Sequence, residues 1–269
     1  MTVAGAADGV KARRYFSGTP PAGYPRCAMS EPAATIETVS PNDRDRVWLV
    51  IAAFNEGGAI APVVAGALDD GWPHVVVVDD GSADDTAERA RQAGAHTLRH
   101  LVNRGQGAAL QTGIRYALER GAEVLVTFDA DGQHRTADLP AMVGPVLRGE
   151  VDAALGSRFL DHAEAVPVGR RLLLRAARLF GTLTSGVRLT DAHNGFRALS
   201  RRLCVEHIDL RLDRMAHASE IVDQIAASGL PFREVSVRIE YTDYSRQKGQ
   251  RGSAALRIAV DYLLGRLLG

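Results

Sequence analysis

The chain has 269 residues, 46% hydrophobic and 24% charged, with 32 Lys+Arg against 32 Asp+Glu. That is room for one large domain or two small ones with an ample core, and the formal net charge of zero argues against a nucleic-acid binder, which carries a basic excess. The two cysteines, Cys27 and Cys204, form neither a disulfide framework nor a metal-ligand cluster and fit a reducing cytosol; no apolar run approaches the roughly 18 residues of a membrane span, and the N-terminus lacks the apolar stretch of a signal peptide.

Residues 1–44 are rich in Gly, Ala, Pro, Ser and Thr and show no helix or strand period, so a disordered tail is expected. Val47 to Ala53 is apolar throughout and predicts a buried strand. A helix is expected over about 59–68. Val75 to Val78 predicts a second strand, ending in Asp79-Asp80-Gly81-Ser82. Asp84-Asp85-Thr86 reads as the cap of a helix running to Ala93. A short strand follows at 96–99 and a helix at 107–120. Val124 to Phe128 predicts a further buried strand, with others at 152–156 and 235–241. The stretch 255–268 reads as a helix with a broad apolar face, suited to a membrane interface or to folding back on the domain. Strands alternating with helices predict the α/β class: a single Rossmann-like domain with a mostly parallel central sheet flanked by helices. The domain would span 45–253, with 254–269 as an appended amphipathic helix.

The chemistry collects at strand ends, where open α/β sheets bind ligands. Asp129-Ala130-Asp131-Gly132-Gln133-His134 carries the strongest signal. Asp131 and Gln133 can offer oxygens to Mg²⁺ or Mn²⁺ with Asp129 close by, and such a cation can bridge diphosphate oxygens. The alternatives are a solvated turn and a calcium-type loop, the latter needing more oxygens at regular spacing than the flanks supply. His134 is expected to support the site rather than ligate. Asp79-Asp80-Gly81-Ser82 can accept from a base N–H or ribose hydroxyls, or simply form a turn. Asn103-Arg104-Gly105-Gln106-Gly107-Ala108 precedes a helix, where backbone N–H groups meet anions. Arg158 follows a strand end, and Arg170, Arg171 and Arg175 form a basic cluster; together they can grip a phosphate or remain a solvated face. Asp191, in Asp191-Ala192-His193-Asn194-Gly195-Phe196-Arg197, can steer an acceptor, act as base or cap structure. Glu220 sits on an expected helix. Arg246, Lys248 and Arg251 lie in a Gly-containing loop able to close over a diphosphate.

Taken together and in order, these motifs resemble glycosyltransferase family 2, of the GT-A fold. They include Ala52-Ala53-Phe54-Asn55-Glu56 and span residues 47 to about 253. The nearest branch resembles the polyprenyl-phosphate sugar synthases, such as dolichyl-phosphate mannose synthase. The resemblance implies an inverting, metal-dependent transfer of a hexosyl or N-acetylhexosaminyl group from a UDP- or GDP-sugar to polyprenyl phosphate. It implies that Ala53, Asn55, Glu56, Asp79, Asp80, Gly107, Asp129, Ala130, Asp131, Arg246 and Lys248 contact the nucleotide-sugar. Asp129, Asp131 and Gln133 would hold Mg²⁺ or Mn²⁺. Arg158, Arg171 and Arg175 would bind the acceptor, and Asp129, Asp131, Arg158 and Asp191 would carry the catalysis. A phosphate acceptor is already nucleophilic, so positioning and charge stabilisation suffice. The chain has Leu174 where those synthases often show a Ser or Thr. It also lacks their C-terminal pair of spans, so an enzyme of the cell envelope, peripheral to the cytoplasmic face of the membrane and beside a small membrane-protein partner, is expected. The rival readings are transfer to a hydroxyl of a cell-wall glycan or small metabolite with Asp191 or Glu220 as base, a nucleotidyltransferase, and a non-catalytic sugar-nucleotide sensor. Phe54-Asn55-Glu56-Gly57 stands where a nucleotidyltransferase opens with a Gly-rich basic loop.

Overall fold

The computed structural model describes residues 39–160, 189–191, 194–211 and 217–240. Seven strands form one sheet: β1 (Val47–Ala53), β2 (His74–Asp79), β3 (His96–Arg99), β4 (Val124–Asp129), β5 (Ala153–Ser157), β6 (Arg197–Ser200) and β7 (Phe232–Ser236). Their spatial order is β3-β2-β1-β4-β6-β5-β7. Every pairing is parallel except those of β6, which runs antiparallel to both β4 and β5. The helices are α1 (Pro41–Arg44), α2 (Ile60–Asp69), α3 (Thr86–Gln92), α4 (Gln106–Glu119), α5 (Leu139–Leu147), α6 (Arg201–Glu206) and α7 (His217–Ser228). This is the expected α/β architecture, the GT-A fold, with a mostly parallel central sheet.

The continuous apolar runs are explained by burial on both faces. Along β1, Val47, Leu49, Ile51 and Ala53 join a core with Ile60 and Val64 of α2 and Met142 of α5. The alternate residues Trp48 and Val50 join a second core with Leu110 and Ile114 of α4 and Ile221 of α7. The period-2 alternation thus assigns each side chain to one of two helix layers.

The sequence pattern located β1 and β3 residue for residue. Several features depart from it. Pro41–Arg44 is a helical turn inside the stretch expected to lack order; Ser40 caps it by accepting from the Asp43 N–H at 3.2 Å. The strand expected at 235–241 lies instead at Phe232–Ser236, with only an isolated bridge from Ile239 to His134 beyond it. The polar loop expected through Arg197 ends earlier, because Arg197 opens β6. At α3 the cap is Asp84, whose Oδ1 accepts from the Thr86 N–H at 3.1 Å, while the Asp85 carboxylate reaches Arg89. The tail before residue 39, Arg171, Leu174, Arg175, Arg246, Lys248, Arg251 and the 254–269 helix lie outside the described residues.

Candidate active site

Because β1, β2, β4 and β5 run parallel, their carboxyl ends share one edge of the sheet, and the loops that follow them are tied together there. Asn55 adopts a left-handed backbone, φ 54°, a conformation its short polar side chain tolerates. Its N–H donates to Ser82 Oγ and its Oδ1 accepts from the Ala83 N–H, both at 2.9 Å. The Glu56 N–H donates to Thr86 Oγ1 at 2.9 Å and the Gly57 N–H to Asp84 Oδ2 at 3.1 Å. The loop after β1 is therefore stitched to the loop after β2.

The acidic pair ending β2 is wholly internal. Asp79 is 0% exposed and Asp80 2%. Asp79 Oδ1 accepts from the Ser82 N–H at 3.0 Å, and Oδ2 pairs with Arg99 Nε at 3.1 Å. Asp80 Oδ1 meets His100 Nδ1 at 2.7 Å and accepts from the Arg104 N–H at 2.9 Å. Its Oδ2 accepts from the Gly105 N–H at 2.7 Å. Asp80 thus clamps the loop entering α4. Gly81 has φ 75° and lies so close that an added Cβ would fall 2.8 Å from the Asn103 nitrogen.

The acidic pair ending β4 is different. Asp129 and Asp131 are both partly exposed. The His134 Nε2 meets Asp129 Oδ2 at 2.8 Å, and the buried His134 ring packs against Phe128 and Phe196. Burial is the largest influence on Asp129 and works to raise its pKa, but His134, Arg197 and His217 outweigh it and hold the carboxyl below the usual range. Asp131 goes the other way: burial first, then the charge of Asp129, push it above that range, against the Gln133 N–H that donates to its Oδ1 at 3.0 Å. Gly195 lies directly against Asp129. An added Cβ there would lie 2.6 Å from Asp129 Oδ1 and 2.7 Å from Oδ2.

Beyond β4, Arg158 and Asp191 form a nearly buried ion pair, with side chains 13% and 1% exposed. Arg158 Nε donates to Asp191 Oδ2 at 2.6 Å and Nη2 to Oδ1 at 3.2 Å. Both Asp191 oxygens therefore accept from one guanidinium fork. Arg197, 2% exposed, lies between the two halves. Burial draws its pKa down to about 10, opposed by the charges of Asp129 and Asp191.

Of the residues anticipated from sequence, the sheet edge brings together Ala53, Asn55, Glu56, Asp79, Asp80, Asp129, Ala130, Asp131, Gln133, Arg158 and Asp191 through the β1, β2, β4 and β5 loops. Gly107 lies buried in the first turn of α4. Glu220, on α7, stands apart: its carboxylate accepts from the Arg211 N–H at 3.0 and 3.1 Å. Arg197 and Glu234 were not singled out as site residues. Arg197 closes a motif whose other residues carry the polar signal, and Glu234 falls just before the strand expected at 235–241, where a lone acidic residue gives no signal by itself.

A divalent cation fits the β4 end. The two carboxylates are hard donors, and their mutual repulsion, visible in Asp131, is what a cation relieves. Among the described residues no group of three or more His, Cys, Asp and Glu side chains is arranged to hold a metal. The protein would thus supply an incomplete shell, as Mg²⁺ sites do when substrate phosphates complete it.

The family model for glycosyl transferase family 2 matches residues 48–207. A UDP-N-acetylglucosamine–dolichyl-phosphate N-acetylglucosaminyltransferase of Methanococcus voltae is 30% identical over 81% of this chain and 95% of its own. A polyprenol monophosphomannose synthase of Mycolicibacterium smegmatis is 32% identical over 83% of this chain and 86% of its own. The crystal structure of Mycobacterium tuberculosis glucosyl-3-phosphoglycerate synthase with Mn²⁺ and UDP-glucose aligns at TM-score 0.59 and 22% identity, covering 90% of this chain and 86% of that one. This last likeness is one of fold.

Proposed function

From the premise that the chain belongs to glycosyl transferase family 2 and is a glycosyltransferase of the hexosyl or N-acetylhexosaminyl type, we propose that it moves the sugar of a UDP- or GDP-sugar onto polyprenyl phosphate with inversion. The observation that carries this is the juxtaposition on one sheet edge of the Asp129–Asp131 pair and the Arg158–Asp191 pair. The first is short of positive charge and the second presents it. Relatives named for dolichyl-phosphate and polyprenol substrates support the choice of acceptor.

Asn55, Glu56 and the loop clamped by Asp80 border the nucleoside. Asp129 and Asp131, with Gln133, hold Mg²⁺ or Mn²⁺, which when bound neutralises charge on the departing diphosphate. His134 fixes Asp129 in one orientation, and Gly195 leaves its carboxylate room. Arg158 binds the acceptor phosphate, aimed by Asp191; Arg171 and Arg175 join it, and Arg246 and Lys248 close over the diphosphate. Asp191, already holding a guanidinium with both oxygens, acts as the anchor of Arg158, and the acceptor phosphate needs no base. No helix among the described residues is long and apolar enough to cross a membrane. The lipid acceptor therefore calls for membrane association, through the 254–269 helix or a small membrane-protein partner.

The test is incubation with Mn²⁺ or Mg²⁺, labelled UDP- and GDP-sugars, and membranes containing polyprenyl phosphate. Label entering an organic-soluble, mild-acid-labile product is the expected result. Label confined to a water-soluble glycan or metabolite would overturn the lipid acceptor, and pyrophosphate release from an NTP would overturn transfer altogether.

A further inference from the structure

Glu234 lies on β7, beyond the region matched by the family model. It is 6% exposed, and a buried charge persists only with partners. A single oxygen, Oε1, collects three donors: the Thr190 N–H at 2.7 Å, the Thr190 hydroxyl at 2.7 Å and the Asp191 N–H at 3.2 Å. The one hydroxyl proton of Thr190 is thereby committed. Ser157 Oγ, 2.5 Å from Thr190 Oγ1, is then the donor in that contact. Ser157 Oγ also accepts from the Phe159 N–H at 3.2 Å. Hydrogen bonds thus run one way, from the Phe159 N–H, through the hydroxyls of Ser157 and Thr190 that flank the Arg158–Asp191 pair in sequence, into Glu234. These hydroxyls sit on the two segments whose side chains form that pair.

We propose that Glu234 is a positioning residue for the acceptor half of the site: its carboxylate oxygen fixes the segments bearing Arg158 and Asp191 against each other and so aims the guanidinium at an acceptor phosphate. The identity of that phosphate rests on the proposed function; the geometry does not. The energetics agree. Burial, reinforced by the charge of Asp191, raises the Glu234 pKa. An ionised group with a raised native pKa detracts from stability above its unfolded value, so stability alone does not account for this carboxylate.

The experiment compares the full-length wild type with Glu234→Ala and Glu234→Gln, the second keeping an acceptor oxygen in place. Three readouts are taken: transfer to polyprenyl phosphate, UDP affinity with Mn²⁺, and the Arg158 Nε–H NMR resonance, assigned by its loss in Arg158→Lys. Glu234→Ala is expected to lower acceptor kcat/KM about 30-fold, chiefly through KM, as loss of hydrogen bonds to a charged group does. It should abolish the resonance and leave UDP affinity within about twofold. Glu234→Gln should keep the resonance and restore kcat/KM to within about threefold of wild type. If Glu234→Ala does not fold, Glu234→Asp, which retracts the oxygen by one methylene, replaces it with the same expected pattern. An intact resonance in the shortened variant, a parallel fall in UDP affinity, or no rescue by Gln would each overturn the proposal. A wild type that leaves polyprenyl phosphate unmodified overturns the proposed function instead, and the resonance test stands apart from it.

Discussion

Two acidic pairs end the parallel strands on either side of β1, and they do opposite things. Asp79 and Asp80, at the end of β2, are buried: Asp80 spends both oxygens on His100, Arg104 and Gly105, while Asp79 accepts from the Ser82 N–H and forms an ion pair with Arg99. Asp129 and Asp131, at the end of β4, stay partly open to solvent, and the pKa of Asp131 is raised first by burial and then by its neighbour's charge. A carboxylate pair closed off from solvent is a building element; in the proposed reading, one left open beside a like charge is a place for a cation. Position at a strand end does not separate the two roles, whereas burial does.

The sharpest way to break this comparison is Asp131→Asn. Turnover should fall at least about 1,000-fold, the scale of losing a group that stabilises developing charge. The metal-free variant should melt no lower than wild type at pH 7.5. The native pKa of Asp131 is raised, so its ionised form costs stability once pH passes the unfolded value near ~4, and the amide removes that cost. Mn²⁺ should raise the melting temperature of wild type and leave the variant unmoved; an equal shift in both would remove the metal role.

Asp80→Asn tests the other pair and should show the reverse pattern. It sets an amide NH₂ against one of the N–H donors and deletes a buried charge that holds three partners. A stability loss of about 2–4 kcal/mol in chemical denaturation is expected, and weaker nucleotide binding should follow as the loop before α4 loosens. Unchanged stability would place Asp80 with the ligand groups instead.

Gly195→Ala sharpens the boundary between the two halves. The new methyl would overlap the Asp129 carboxylate and force it aside. Activity should drop about 10- to 100-fold with a stability cost of about 1–2 kcal/mol. A wild-type rate would show that Asp129 tolerates displacement. The smallest effect belongs to Arg99→Ala: Arg99 is 58% exposed, and removing such a pairing should cost less than about 1 kcal/mol by thermal melts. A larger cost would mean that the buried Asp79 depends on the arginine as a partner.

Much of this was legible beforehand, for physical reasons that differ by region. Val47–Ala53 and His96–Arg99 were read to the residue. For β1 the cause is plain: a strand buried on both faces must be apolar throughout. β6 escaped because it has four residues and opens with a buried arginine, Arg197, which reads as loop. α5, with Pro140 and Pro145 in Leu139–Leu147, carries helix-breaking residues and gave no helical pattern. At the site, Asp79-Asp80 and Asp129-Asp131 look alike as sequence. What distinguishes them comes from residues 20 to 25 positions downstream of Asp80 and from Gly195, 66 positions beyond Asp129. Such long-range donors and close approaches leave no local trace. The pairing of Arg158 with Asp191 was hidden in the same way, since each was visible only as a separate candidate.

The reversed direction of β6 has one more consequence. Its first residue emerges where β4 and β5 finish, so Asp191 and Gly195, just before it, border the Arg158–Asp191 ion pair and the Asp129–Asp131 carboxylates of the candidate site. Gly195 presses on one and Asp191 belongs to the other. In the proposed reading the donor and acceptor groups are yoked through these contacts, and by thermodynamic reciprocity whatever tightening the sugar donor confers on the acceptor must be returned in equal measure. Calorimetric titration of each substrate in the presence and absence of the other should reveal matching shifts, and strictly independent binding would show the yoke to be slack.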